Sequence, residues 1–348
     1  MFKHTEIFRD NRDAATSGNM GDLPEWDLDD LYPSTNGPEI TADLKWLDVE
    51  GPAFGTDYQG KLGDLDAEGM LKCVLRYERI QQVAGRVMSF AGLRYYQNTT
   101  DAERGKFMAD MQAQITDMSA NLVFFSLEIN RIEDAALDAL LAENPDLNRY
   151  KPIFDSLRKM KPYQLSDELE KFLHDQSVVG TSAWNRLFDE TMAALKFDVD
   201  GEEMSLEATL NLLSDTDRKR REVGAKALVK VFSANTPLFA RITNTLAKEK
   251  EIEDKWRNLP TPQTSRHLSN DVEPEVVQAL RDAVVAAYPK LSHRYYALKA
   301  KWLGLDKMEI WDRNAPLPGE DDLVTPWDQA RAMVLDAYAD FDPRMAAL

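Results

Sequence analysis

The chain has a single cysteine, Cys73, in 348 residues. A disulfide framework within the chain is excluded, and a reducing compartment, the cytoplasm, is the expected location. The apolar neighbours of Cys73 at helical spacing mark it as a small buried hydrophobe rather than a nucleophile. Histidine is almost as scarce, with His4, His174, His267 and His293 making up the four. No two fall within one helical turn and none is followed by glutamate, so the chain lacks the His-Glu-x-x-His spacing that binds a hydrolytic zinc. The 16 glycines are scattered and form neither a phosphate-binding loop nor a Gly-x-Ser-x-Gly elbow. No apolar run approaches the ~20 residues of a membrane span. Residues 1–21 are polar, have no apolar core of a secretory signal, and are expected to form a disordered leader. Positive charge is also short, at 42 Lys and Arg against 60 Asp and Glu, a net charge of -18. Such a surface repels phosphate and anionic lipid, which excludes nucleic acid and membrane as partners.

What fills the chain is helical patterning. Over 66–97 a stripe runs through Cys73, Tyr77, Ile80, Ala84, Val87, Ala91 and Tyr95 in steps of four and three. Thr100-Asp101-Ala102-Glu103 reads as a capping box. It opens a second long helix carrying Phe107, Met111, Ile115, Met118, Leu122, Phe125, Ile129 and Ile132 as a core stripe. Together they predict an antiparallel helical hairpin. Shorter helices are expected at 133–142, 149–160, 166–178 and 181–195, punctuated by Pro145, Pro152 and Pro162. The one β signal is Leu195 to Leu206, where alternating apolar residues flank Asp200-Gly201, a two-residue hairpin turn. Reading Asp198 to Gly201 as a calcium loop fails, because Lys196 would occupy the first ligand position.

Further helices are expected near 206–213, 215–232 and 236–258, the last opened by Thr236-Pro237. Glu249 and Glu253 share a face there, but no Glu-x-x-His partner exists for a di-metal site, so the Lys248-Glu249-Lys250-Glu251 run reads as a solvated face. Leu259 to Asp271 breaks into a polar segment, followed by two helices over 273–303. Met308 to Asp312 suggests a short strand, Asn314 to Asp322 a loop, and Thr325 a cap for the next helix. At the end, Asp342-Pro343 is a cap-plus-proline helix start. The spacing Val334, Tyr338, Phe341, Met345, Leu348 runs to the last residue, which suggests that more sequence follows. The expected fold class is all-α with one small β-hairpin.

Several phrases resemble the oligoendopeptidase F branch of the thimet-oligopeptidase-like zinc metallopeptidases. Leu23 to Tyr32 is similar to the family's opening Trp-Asp-Leu-x-x-Leu-Tyr phrase. Leu212 to Arg221 is similar to its Leu-x-Ser-x-Asp-Arg-x-x-Arg helix start after the hairpin, and Ser265 to Asp271, Tyr295-Tyr296, Lys301 to Leu305 and Trp311-Asp312 to the segment before its catalytic half. The resemblance implies a mostly helical N-terminal lobe of a zincin-type oligopeptidase, with a long cleft in which short unfolded peptides are cut. It divides the chain into the leader 1–21, an N-terminal helical domain 22–195, and a segment 196–348 holding the hairpin and the start of a peptidase domain incomplete at its C-terminus. It implies zinc in the full-length family member and none bound here. The missing C-terminal catalytic half is the partner, short peptides are ligands, and the chain alone is expected to be inactive. Asp215 and Asp217 suit a helix N-terminus, Arg218 to Arg221 suit surface pairs, and Tyr295-Tyr296 suits helix packing. Arg266, His267 and Asn270, in the irregular polar segment, are the expected cleft-wall residues. The alternative reading is a non-catalytic helical peptide-binding or interaction module.

Overall fold

A computed structural model of the chain describes residues 22–24, 26–318 and 325–347. The expected leader 1–21, part of the 314–322 loop and the terminal Leu348 lie outside the described residues. In chain order the helices begin with α1 (Pro38–Tyr58), α2 (Ala67–Gln97), α3 (Ala102–Ser119), α4 (Val123–Arg131) and α5 (Asp134–Glu143). Then come α6 (Pro145–Asn148), α7 (Lys151–Arg158), α8 (Asp167–Gln176) and α9 (Thr181–Ala194). The hairpin β1 (Phe197–Val199) and β2 (Glu202–Met204) follows. After it come α10 (Leu206–Asn211), α11 (Arg218–Arg257), α12 (Thr264–Ser269), α13 (Pro274–Ala287), α14 (Ser292–Trp302), α15 (Trp327–Phe341) and α16 (Pro343–Ala347). The all-α class with a single described hairpin holds. Two compact units result: 31–195 with 233–288, and 1–30 with 196–232 and 289–348.

The larger unit is built on α2. Asp66 caps it by accepting from Gly69 N–H at 2.7 Å, and its predicted stripe is buried from Cys73 to Tyr95 except for half-buried Tyr77. Burial pushes the Cys73 thiol up to about 12, which makes it an inert packing group. α2 packs on both α1 and α3, so the hairpin is joined by a third helix that the sequence reading did not anticipate. The apolar face of α1 (Ile40, Leu47, Phe54) is sparse, and Pro52 sits inside it, which hides its period. Tyr32 closes the unit's end: its buried hydroxyl donates to Asp43 at 2.6 Å, and the Arg86 guanidinium lies 4.4 Å from its ring centroid.

The second half of the hairpin departs from expectation in two ways. Asp101, not Thr100, is the N-cap of α3, accepting from Glu103 and Arg104 N–H. The predicted single helix is interrupted at Ala120–Leu122. There the Asn121 side-chain amide donates to the Met118 and Asp117 carbonyls, ending α3, while the stripe keeps its phase into α4. Around the break, Phe54, Tyr77, Phe124 and Phe125 form an aromatic cluster, with Tyr77 and Phe125 stacked 4.1 Å apart.

In the smaller unit the hairpin pairs Phe197 with Met204 and Val199 with Glu202. Asp200 and Gly201 both take positive φ, 54° and 89°, as the two-residue turn requires. Thr236-Pro237, which belongs to the larger unit, does not start a helix; α11 runs unbroken through Pro237. The Met308–Asp312 segment is not a strand but a 3₁₀ turn closed by a reciprocal Glu309–Asp312 cap. Asp312 is fully buried, and Arg218 donates to both its oxygens at 2.9 Å. Arg221, expected at the surface, is buried as well. It donates to Asp312 at 3.1 Å and to the Trp311, Asp215 and Thr216 carbonyls. The Arg218 hydrogen bonds, with help from Glu309 N–H and Arg221, outweigh burial and lower the Asp312 carboxyl to about 2. Thr325 does not cap α15, whose N-cap is Pro326. Asp342 does cap α16, accepting from Arg344 N–H at 2.9 Å. Val334, Tyr338, Phe341 and Met345 are exposed.

Candidate functional site

The larger unit contains a cavity of about 1210 Å³. Tyr77 and Gln81 of α2 line it, with Ser119, Leu122, Val123 and Ser126 at the α3–α4 break. So do one face of α8, the segment from Ser177 to Thr181, and Trp184 of α9. The remaining wall is α11: Arg241, Asn244, Thr245, Lys248, Glu249, Ile252, Glu253 and Trp256 repeat in steps of three and one, which is one helical face. Interrupting the long helix at Asn121 therefore has a consequence, since it places the chain turn beneath this space.

Three side-chain groups organise the walls. Arg257 donates to both oxygens of Glu170, to Glu253 at 2.7 Å and to the Tyr163 carbonyl at 3.3 Å, tying α8 to the end of α11. Burial would raise the Glu170 carboxyl, but the Arg257 bonds and Leu165 N–H hold it below its ordinary value, so the pair is ionised at neutral pH. Glu249 accepts from Thr181 Oγ1 at 3.0 Å and from Thr181 N–H at 3.3 Å. Gly180 makes that approach possible, because a Cβ there would lie 2.4 Å from Glu249 Oε1. His174 Nε2 lies 2.9 Å from Ser119 Oγ and 3.3 Å from the Thr116 carbonyl. A carbonyl only accepts, so the contact with Thr116 assigns the proton to Nε2, and in that tautomer Nε2 is not available as a base to Ser119. This pair is a structural bond between α3 and α8.

With these charges engaged, the unsatisfied character of the cavity is apolar. Phe172 and Trp256 are 58% and 61% exposed, Ile252 is 50% and Val179 is 73%. Of the lining cations, Arg241 has no ion-pair partner among the described residues, and Lys248 meets Glu251 on the outer surface. The expectation of a merely solvated face at Lys248–Glu251 fails for Glu249, which turns into the cavity.

Arg266, His267 and Asn270 are brought together on α12 and its C-cap, where Asn270 N–H donates to the Arg266 carbonyl at 3.0 Å. Arg266 and Asn270 are exposed, His267 is half-buried, and none of the three lines the cavity. Tyr295 and Tyr296 are partly exposed rather than packed inside, and touch each other edge-on at 5.5 Å. The residues that do line the cavity left a faint signal. Ile252 and Trp256 are apolar at i,i+4 within an otherwise charged helix segment.

Comparison with known proteins supplies a context. A family model described as Oligopeptidase F matches residues 128–197. The chain is 24% identical over 332 residues to Oligopeptidase PepF of Bacillus subtilis, covering 93% of this chain and 48% of that protein. It is 26% identical over 251 residues to Group B oligopeptidase PepB of Streptococcus agalactiae, covering 70% and 41%. The chain thus spans about half the length of the curated relatives it matches. In structure it is similar to oligoendopeptidase-F from Enterococcus faecium, with a TM-score of 0.70, 22% identity, and coverage of 92% of this chain and 64% of that one. A putative peptidase from Chlamydophila abortus matches with a TM-score of 0.61 and 19% identity, covering 92% and 55%. The chain resembles oligoendopeptidase F in sequence and shares its helical fold. No helix among the described residues is long and apolar enough to cross a membrane.

Proposed function

We propose that this chain is the N-terminal part of a cytoplasmic oligoendopeptidase of the F type, and that its cavity helps receive short unfolded peptides. The likeness to oligopeptidases over nearly the whole of this chain but only about half of theirs is the observation that carries the reading. In such an enzyme zinc would activate the water that attacks the peptide carbonyl. Among the described residues no group of three or more His, Cys, Asp or Glu side chains could hold a metal. No hydrolytic step is therefore assigned to these residues.

The proposal gives the reaction centre to a catalytic half lying outside this sequence, and gives this chain peptide positioning. The exposed Val334, Tyr338 and Phe341 support an apolar face for that half to cover. Arg266, His267 and Asn270 belong to the same proposal as cleft-wall residues. Two measurements test it: elemental analysis of the purified chain, with cleavage of an internally quenched peptide, and reading of the coding sequence beyond Leu348. The expected outcomes are no stoichiometric zinc, no turnover, and a downstream His-Glu-x-x-His. One tightly bound zinc with chelator-sensitive turnover would overturn the assignment. A frame that stops at Leu348 would favour a stand-alone peptide-binding module, which the cavity would serve equally well.

A further inference from the structure

The face of α11 in the cavity is graded along its length. At one end Arg241 is without an ion pair among the described residues, and Lys248, two turns on, has only an exposed partner. At the other end Ile252 and Trp256 stand exposed, and Phe172 of α8 lines the same cavity. The acidic groups between them are already engaged, Glu249 by Thr181 and Glu253 by Arg257. What the cavity offers a ligand is therefore an apolar surface at one end and, towards the other, Arg241 together with Lys248, whose partner Glu251 is solvent-exposed.

Length sets the ligand's size. From Arg241 to Trp256 the helix rises roughly 22 Å, at about 1.5 Å per residue. An extended peptide covers about 3.3 Å per residue, so about seven residues span that distance. An apolar side chain gains from burial against Trp256, Ile252 and Phe172. A carboxylate at the far end would meet Arg241 and Lys248, and guanidinium and ammonium groups both donate charge-assisted hydrogen bonds to it.

We infer that the cavity takes the C-terminal portion of an oligopeptide, with the free α-carboxylate at Arg241 and Lys248 and an apolar side chain about six residues upstream at Ile252 and Trp256. The inference rests on the peptide-handling reading above and adds the direction and the class of peptide. It makes the site selective for peptides with a free C-terminus over those whose carboxylate is blocked.

The test uses the purified chain and three heptapeptides: one with two leucines in its N-terminal half and a free carboxylate, its C-terminal amide, and the free acid with both leucines replaced by serine. Binding is read by calorimetry and by the change in tryptophan fluorescence. Amidation is expected to weaken binding about fivefold, the scale of one or two partly exposed ion pairs. Arg241→Ala should weaken the acid by a similar factor and leave the amide unchanged. Replacing the leucines should abolish the fluorescence change, and Ile252→Ser should weaken both leucine peptides equally. Arg281→Ala, on α13 and outside the cavity, should change nothing. Equal affinity for acid and amide would overturn the assigned direction and leave the peptide-handling reading standing. Failure of both leucine peptides to bind would overturn the two together.

Discussion

Glu170 holds Arg257 through both carboxylate oxygens, at 2.6 and 2.9 Å, across 87 residues of sequence. The fork geometry matters, because the guanidinium keeps a further donor for Glu253 and reaches the Tyr163 carbonyl. One cation thus fixes the distance between α8 and the end of α11, the two walls whose apolar side chains face the cavity. Arg257→Ala leaves the Glu170 carboxylate half-buried and without its charged partner. The expected loss is about 2 kcal/mol, from the range for hydrogen bonds to charged groups, read as a lower urea midpoint with an unchanged slope. Arg257→Lys should recover only part of it, since an ammonium cannot serve Glu170 and Glu253 in the same geometry. Peptide affinity should fall in both variants.

The Asp312 cluster predicts an acid sensitivity. Its folded carboxyl titrates at about 2, below the ordinary value of 3.8. A depressed carboxylate contributes stability that is fully present above its unfolded pKa and is lost as pH falls through the folded one. The contribution should therefore vanish between roughly pH 4 and pH 2. Asp312→Asn, which leaves buried Arg221 without its anion, should cost about 3 kcal/mol at pH 7 by the precedent of broken buried pairs. The gap between the two proteins should close across that pH window when urea midpoints are compared. A constant gap down to pH 2 would show that the cluster holds by packing rather than by charge.

These two clusters also show what the sequence could and could not convey. The α2 stripe, the Asp200-Gly201 turn and the Asp342 cap were legible because each is local: periodicity and turn chemistry act within a few residues. Arg221 looked like a surface residue because the partner that buries it, Asp312, is 91 positions away. The break at Asn121 was invisible for the opposite reason. The stripe from Met111 to Ile132 stays in phase across it, and one side-chain amide decides the interruption. The cavity shares the Arg221 problem. Leu169, Phe172, Ile252 and Trp256 belong to two amphipathic helices whose faces could have been buried against each other. Arg257, bonded to Glu170, ties the two helices at the end of α11.

Gly180→Ala tests the same wall at Glu249. An added Cβ would fall 2.4 Å from Glu249 Oε1 and 3.3 Å from the Gln176 carbonyl. The carboxylate is the flexible end and should swing away, releasing Thr181. Global stability should fall by no more than about 1 kcal/mol, the scale of one lost hydrogen bond. Peptide affinity should change more than stability does, because the released Glu249 carboxylate would add a free negative charge to the cavity wall that carries Lys248. A difference in apparent Kd for the free-acid peptide, with none for its amide, is the expected signature. Unaltered binding of the acid would show that Glu249 and Lys248 do not share a ligand.

Ser119 and His174 invite comparison with a nucleophile and its base, and the geometry argues against it. The same Nε2 that meets Ser119 Oγ at 2.9 Å also faces the Thr116 carbonyl at 3.3 Å. Ser119 Oγ in turn donates to that carbonyl at 3.1 Å. With its proton on Nε2, the ring has no lone pair for the serine, and the serine proton is already committed. A fluorophosphonate reagent should therefore leave Ser119 unlabelled at neutral pH, as judged by intact-protein mass. Ser119→Ala should cost about 1 kcal/mol, the ordinary value of a neutral hydrogen bond. It should also loosen α8 against α3, visible as faster amide exchange over Asp167–Gln176. Stoichiometric labelling at Ser119 would mean that the ring carries its proton on the other nitrogen, and the pair would then have to be read as chemistry rather than as a clasp.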